Sequence, residues 1–199
     1  MFERYIKPAY QKYLLDTFIR LPVINSLNPN VITLLSLLTG MLVLPALYFH
    51  WLMLATILLL ISGYGDSLDG ALARATSRST SFGTVYDIIS DRLVEVSVVL
   101  GLFMLQPESR GLLCLLMLAS MIICITSFLV VGIFAPNVTE KSFHYSPGLM
   151  ERPEAFAFFI AMIWLPNHFS MLAISFALLV GYTGLNRVRE FSLGQKISN

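Results

Sequence analysis

Four aspartates occur at helical spacing inside an otherwise apolar part of the chain. Asp66 and Asp69 are spaced i, i+3, and Asp87 and Asp91 are spaced i, i+4, so each pair lies on one face of a helix. The segment 76–84 between the pairs is short and polar, which predicts that the two helices return antiparallel and that both pairs meet at the same end. Four carboxylates that face one another repel unless a cation lies between them, and oxygen ligands favour a hard ion such as Mg2+, Mn2+ or Ca2+. Because Mg2+ usually combines carboxylates with substrate phosphates, the pattern predicts a phosphorylated ligand.

The composition places these acids in a membrane protein. Of the 199 residues, 56% are hydrophobic and only 13% are charged, whereas an ordinary soluble domain has about 25% charged residues. This excludes a disordered chain and a typical soluble enzyme, and the net charge of +1 gives no reason to expect a nucleic-acid partner. A charged residue at the bilayer centre costs roughly 2.5–3.5 kcal/mol. The four aspartates are therefore expected near an interface, around a shared cation or in a water-filled cavity.

Six apolar segments are candidates for membrane-spanning helices, each of which needs about 20 mostly apolar residues. We therefore expect an all-α, polytopic integral membrane protein with about six transmembrane helices. The fifth segment is short and needs its polar flanks to span the bilayer. The predicted spans are 31–50, 51–74, 85–106, 111–135, 155–165 and 169–185.

The segment before the first span differs from the rest of the chain. Apolar residues on one helical face are interleaved with basic residues, which predicts an N-terminal amphipathic helix in the membrane interface. Six spans place both termini on one side with every Lys and Arg except Arg110, so the positive-inside rule predicts cytoplasmic termini. We expect the membrane to be the inner membrane of a bacterium. The predicted divisions are an amphipathic juxtamembrane segment at 1–29, a six-helix membrane domain at 30–190 and a cytoplasmic tail at 191–199.

The aspartates belong to two motifs that are separated by eight residues. The motifs are DSLDGALAR at 66–74 and GTVYDIISD at 83–91. Together they resemble the signature of the CDP-alcohol phosphatidyltransferase family, DxxDGxxAR followed after eight residues by GxxxDxxxD, at every defining position. The segment PNVIT at 29–33 is similar to the PNxxT sequence with which this family enters its first span.

The resemblance implies a reaction and assigns roles to the residues of the signature. Enzymes of this family transfer a phosphatidyl group from CDP-diacylglycerol to an alcohol and release CMP, and the resemblance also implies a homodimer. On the family pattern Asp91 is the general base on the acceptor hydroxyl, two Mg2+ or Mn2+ ions are expected, and the active site is cytoplasmic. The implied metal ligands are Asp66, Asp69, Asp87 and Asp91. The implied contacts to the CDP moiety are Gly70, Ala73, Arg74 and Gly83, together with Asn30 and Thr33.

The sequence leaves the acceptor alcohol open. The segments 91–95 and 148–154 are similar to the inositol-phosphate branch of the family, and three arginines at cytoplasmic helix ends could bind an acceptor phosphate. The segment 127–134 lacks the arginine and glutamate that this branch usually has in its fourth span, so glycerol phosphate, serine and inositol also remain candidates. The candidate acceptor-binding residues are Arg152, Arg187 and Arg189.

Two other classes of protein also carry acids within the membrane. A divalent cation transporter lines its ion pathway with such carboxylates. A non-catalytic lipid-binding membrane protein could keep the same pattern without turnover. The transporter is disfavoured because the four acids cluster at one end of the spans. Membrane lipids are expected partners in every case.

Overall fold

The computed structural model describes residues 15–19, 21–134 and 150–198, and the regular structure in these ranges is helical without strands. The chain comprises two compact units, Met1–Leu105 and Gln106–Asn199, which we call unit 1 and unit 2. The predicted fold class, an all-α polytopic membrane protein, is confirmed.

The described part of unit 1, residues 15–19 and 21–105, contains two short helices followed by four longer ones. A break at Leu42 separates α3 from α4, and it has a chemical cause, because Pro45 has no N–H to donate to the carbonyl of Met41. The helices α3 and α4 pack against α5 and α6. The bounds are α1 Asp16–Ile19, α2 Pro22–Ser26, α3 Pro29–Met41, α4 Val43–Tyr48, α5 Leu52–Ala75 and α6 Ser81–Leu105.

The start of α3 is fixed by its sequence. The side chain of Asn28 accepts a hydrogen bond from the backbone N–H of Asn30 at 3.0 Å, and Pro29 occupies the first helical position. This cap sets where the first turn of α3 begins, and therefore which of its side chains face α5.

In unit 2 the described residues form three α-helices, α7 Pro107–Phe134, α8 Arg152–Trp164 and α9 Phe169–Ser198, with a turn of 3-10 helix at Pro166–His168. The helices α7 and α9 approach closely where Gly184 faces Cys124. A Cβ atom on Gly184 would lie 3.1 Å from the Cα of Cys124, so a side chain here would push the two helix backbones apart by a few tenths of an ångström.

Within the described residues, four helical segments are long and apolar enough to cross a membrane: Pro29–Tyr48, Leu52–Ala75, Pro107–Phe134 and Pro166–Leu193. The helix count is near the prediction, because α6 and α8 occupy the other two predicted positions. With 25 residues α6 is long enough, but it carries Asp91, Arg92 and Glu95. With 13 residues α8 extends only about 20 Å, less than the hydrocarbon core of about 30 Å.

Most of the predicted N-terminal amphipathic helix lies outside the described residues. In the described part, Leu15 and Ile19 are buried in one apolar cluster with Ile32 of α3 and Leu68 and Leu72 of α5. The end of the N-terminal segment therefore packs on the helix that carries the first acidic motif.

Candidate metal and nucleotide site

A tight turn between α5 and α6 joins the two acidic motifs. Ser77 takes a left-handed backbone conformation (φ 53°), and the N–H of Arg78 donates to the carbonyl of Ala73 at 2.9 Å, which ends α5 in a Schellman-type cap. Thr80 then caps α6, since its hydroxyl accepts from the N–H of Gly83 at 3.0 Å. The predicted antiparallel return is thus built from two successive caps.

The turn brings three of the four aspartates together. Carboxylate oxygens of Asp66, Asp69 and Asp87 all lie within 4.8 Å of one another. Asp69 is only 4% exposed, and the other two are half-buried. Three oxygen donors at this separation match the ligand chemistry of a hard divalent cation, so the residues fit Mg2+ or Mn2+.

Asp91 lies outside this carboxylate group among the described residues. It is one turn further along α6, and its Oδ2 is 3.9 Å from Nη2 of Arg92. Four residues of α-helix advance about 6 Å along the axis, which separates Asp91 from Asp87 although both lie on one face. Its predicted roles as a fourth ligand and as the general base remain predictions.

A cavity of about 160 Å³ opens beside the carboxylates and is lined by α3, α5, α6 and the turn between α5 and α6. All six residues predicted to contact the CDP moiety line it: Asn30, Thr33, Gly70, Ala73, Arg74 and Gly83. Asp69 and Asp87 line it as well, so the carboxylate group and the pocket share two residues.

The two glycines of the pocket are positions of close approach. A Cβ on Gly83 would lie 3.1 Å from both Asn30 Oδ1 and Thr80 Oγ1, and a Cβ on Gly70 would lie 3.4 Å from Nη1 of Arg74. The Arg74 guanidinium therefore lies next to bare backbone, which a flat ligand can approach.

Sequence reasoning missed five lining residues. Arg78 adds a second guanidinium, and its Nη1 donates to the carbonyl of Leu27 at 3.3 Å. The sequence signal was weak, because Arg78 stands in the variable stretch of the signature and was counted only as a positive-inside charge. The missed lining residues are Pro29, Arg78, Ser79, Thr80 and Thr84.

The three arginines predicted to bind the acceptor all belong to unit 2. Nη1 of Arg187 donates to the backbone carbonyl of Cys124 at 3.2 Å, and its guanidinium lies 5.2 Å from the ring centroid of Phe128. Arg152 lies over the ring of Phe156 at 5.2 Å, and Arg189 is exposed. Arg152 and Arg187 thus make contacts within unit 2, and an acceptor role for the three stays a prediction.

This fold and site define a class of protein, an α-helical membrane protein in which two acidic motifs bring three carboxylates with the ligand chemistry of a divalent cation beside a polar pocket. The sequence profile of the CDP-alcohol phosphatidyltransferase family matches residues 26–183. The chain belongs to the CDP-alcohol phosphatidyltransferase family, and the resemblance of its signature is confirmed.

Several known proteins are similar to the chain. The inner membrane protein YnjF of Escherichia coli is 31% identical over 195 residues, which cover 94% of both proteins. The archaetidylinositol phosphate synthase of Pyrococcus horikoshii is 37% identical over 76 residues, which cover 38% of this chain and 40% of the relative. The crystal structure of the phosphatidylinositol phosphate synthase of Mycobacterium tuberculosis with CDP-DAG bound superimposes with a TM-score of 0.74 at 20% identity, covering 89% of this chain and 93% of that one. At this identity the superposition shows a shared fold.

Proposed function

We propose that the protein transfers a phosphatidyl group from CDP-diacylglycerol to a phosphorylated polyol, inositol phosphate or glycerol 3-phosphate, and releases CMP. One observation carries the proposal. The carboxylate group of Asp66, Asp69 and Asp87 shares two members with a pocket that also contains Arg74 and Arg78. A cation site and guanidinium donors around one cavity suit a ligand with adjacent phosphates.

In this proposal, residues of unit 1 bind the nucleotide half of the substrate. Asp66, Asp69 and Asp87, with Asp91, would hold two Mg2+ or Mn2+ ions, which neutralise charge on the pyrophosphate when bound. The guanidinium of Arg74 donates to phosphate oxygens, and the bare backbone at Gly70 and Gly83 admits the nucleotide.

In this proposal Asp91 is the general base. Its carboxylate takes the proton of the acceptor hydroxyl, and the acceptor oxygen forms a bond to the phosphorus that bears diacylglycerol. The pyrophosphate bond to that phosphorus breaks, and CMP leaves with the bonding electrons. The position of Asp91, outside the carboxylate group and beside Arg92, supports a role for it in addition to metal binding.

The acceptor is assigned to arginines of unit 2. Arg152, Arg187 and Arg189 would bind the acceptor phosphate, because guanidinium groups match phosphate oxygens in geometry and charge. The names of two relatives, an archaetidylinositol phosphate synthase and a phosphatidylinositol phosphate synthase, support a phosphorylated polyol as the acceptor.

We also propose a cellular location and an oligomeric state for the protein. The protein would lie in the bacterial inner membrane as a homodimer, with both termini and the active site in the cytoplasm. The inner membrane location is supported by two Escherichia coli relatives whose names describe inner membrane proteins.

The experiment is an assay of CMP release from CDP-diacylglycerol by the purified protein in Mg2+ or Mn2+. The acceptor panel contains inositol phosphate, glycerol 3-phosphate, inositol and serine. We expect release that depends on one phosphorylated polyol and that Asp91→Asn abolishes. Glu108→Gln removes an exposed carboxylate of unit 2 outside the pocket and serves as the matched control.

Protein that binds Mn2+ and CDP-diacylglycerol but releases no CMP with any acceptor would contradict the proposal. Mn2+ flux into liposomes would then identify a cation transporter, and its absence would leave a lipid-binding protein.

A further inference from the structure

We infer that Thr33 is a positioning residue for the carboxylate of Asp69, rather than a direct donor to the nucleotide. Thr33 Oγ1 donates a hydrogen bond to Asp69 Oδ2 at 2.5 Å. Both side chains are nearly inaccessible, with Thr33 5% and Asp69 4% exposed. The inference deepens the proposed function, on which it rests for the identity of the cation.

The contact joins two helices far apart in sequence. Thr33 lies in the second turn of α3, and Asp69 lies near the end of α5, 36 residues later. The cap of Asn28 and Pro29 at the start of α3 sets the register that directs Thr33 to α5. The apolar cluster that contains Ile32 and Leu68, the residues just before this pair, packs the same two helices together.

Hydrogen-bond chemistry separates this role from a direct nucleotide contact. A threonine hydroxyl has one proton, and phosphate oxygens are acceptors. While that proton is donated to Asp69, Thr33 has none for a phosphate. The alternative acceptor within reach is the carbonyl of Pro29 at 3.2 Å, one turn earlier in the same helix.

The three carboxylates of the cation site lie close enough together to repel one another. Asp69 lies within 4.8 Å of Asp66 and Asp87, where mutual repulsion would turn an unrestrained carboxylate away. A fixed donor on Oδ2 holds Asp69 in its orientation and offsets part of that repulsion. Groups that orient a metal ligand in this way typically account for about 10- to 100-fold in metal affinity.

The test compares two substitutions at one position. Thr33→Val keeps the shape and removes the hydroxyl, whereas Thr33→Ser keeps the hydroxyl. Thr39→Val is the matched control in the same helix, because the Thr39 hydroxyl donates to the backbone carbonyls of Leu35 and Ser36. Binding of Mn2+ to the purified protein without lipid substrate is measured by electron paramagnetic resonance, and the KM for CDP-diacylglycerol is measured at saturating Mn2+.

We expect Thr33→Val to weaken Mn2+ binding by about 10- to 100-fold. Thr33→Ser and Thr39→Val should bind Mn2+ as the natural protein does, and the KM of Thr33→Val at saturating Mn2+ should be unchanged. If Thr33→Val does not fold, as judged by gel filtration and circular dichroism, Thr33→Ala gives the same comparison with a smaller side chain.

Mn2+ binding that is equal in Thr33→Val and the natural protein would overturn the inference, as would a raised KM with unchanged Mn2+ affinity. A natural protein that does not bind Mn2+ would overturn it too. A protein that binds Mn2+, loses that binding in Thr33→Val and yet releases no CMP would refute the proposed function while leaving the role of Thr33 intact.

Discussion

Nη1 of Arg92 lies 2.5 Å from Oε2 of Glu95, one turn further along α6. Glu95 is only 4% exposed, and a buried carboxylate in a membrane helix requires a partner. The same guanidinium reaches Asp91, whose Oδ2 is 3.9 Å from Nη2. Arg92 therefore links the buried glutamate to the proposed general base, so these three charged residues of α6 partner one another.

Replacing Glu95 tests this link. Glu95→Gln removes the charge that holds Arg92, so we expect a lower kcat with little change in the KM for CDP-diacylglycerol. The stability loss should be about 1–2 kcal/mol, below that of a fully buried pair because the Arg92 side chain is 35% exposed. Kinetics and thermal unfolding in detergent measure both effects, with Glu108→Gln as control. Unchanged kcat and unfolding temperature would show that the ion pair has no part in the site.

Replacing Asp69 tests the carboxylate group. Asp69→Asn keeps the size of the side chain but removes one anionic ligand from the group within 4.8 Å. We expect the Mn2+ concentration needed for CMP release to rise at least about 100-fold. Losing a metal ligand lowers metal affinity more than losing a hydrogen-bond partner of that ligand. Chelation of the metal should abolish release by the natural protein. Asp69→Asn with an unaltered Mn2+ titration would contradict the assignment.

Adding a methyl group tests the close approach at Gly83. The Cβ of Gly83→Ala would lie 3.1 Å from Asn30 Oδ1 and Thr80 Oγ1, so the pocket wall must shift by a few tenths of an ångström. We expect a severalfold higher KM for CDP-diacylglycerol with the fold retained. Gly181→Ala is the matched control, because its Cβ would meet no described atom within 4 Å apart from its chain neighbours and the backbone of its own helix. That control should keep its KM and gain up to about 1 kcal/mol from helix propensity. Equal KM values in the two variants would exclude Gly83 from the nucleotide contact.

Removing the second guanidinium of the pocket tests Arg78. Arg78→Gln should weaken inhibition by CMP about fivefold, the effect of about 1 kcal/mol for an exposed charged contact. Inhibition by uncharged cytidine should not change if the contact is to phosphate. Arg78→Lys keeps the charge but loses the planar guanidinium group. Its inhibition by CMP should be weaker than that of the natural protein and stronger than that of Arg78→Gln. Equal losses for CMP and cytidine would instead place Arg78 beside the nucleoside.

Local patterns predicted most of the fold and much of the site. Apolar run lengths located the helices. The spacing of the signature predicted that four aspartates meet, and Asp66, Asp69 and Asp87 do so, whereas Asp91 lies outside their group. The break at Leu42 was missed although Pro45 is visible in the sequence, because the apolar run continues through it. The hydrogen bond from Thr33 to Asp69 was not predictable, since it depends on how two helices pack across 36 residues of sequence.

The turn between α5 and α6 has a consequence for how the site comes into being. Asp66 and Asp69 precede it and Asp87 follows it, so a single short loop must close before these carboxylates meet. The entropy lost on closing a loop grows with its length, and contacts between residues near in sequence form fastest. The three carboxylates all come from one local hairpin of unit 1, so bringing them together costs little loop-closure entropy and uses no residue of unit 2.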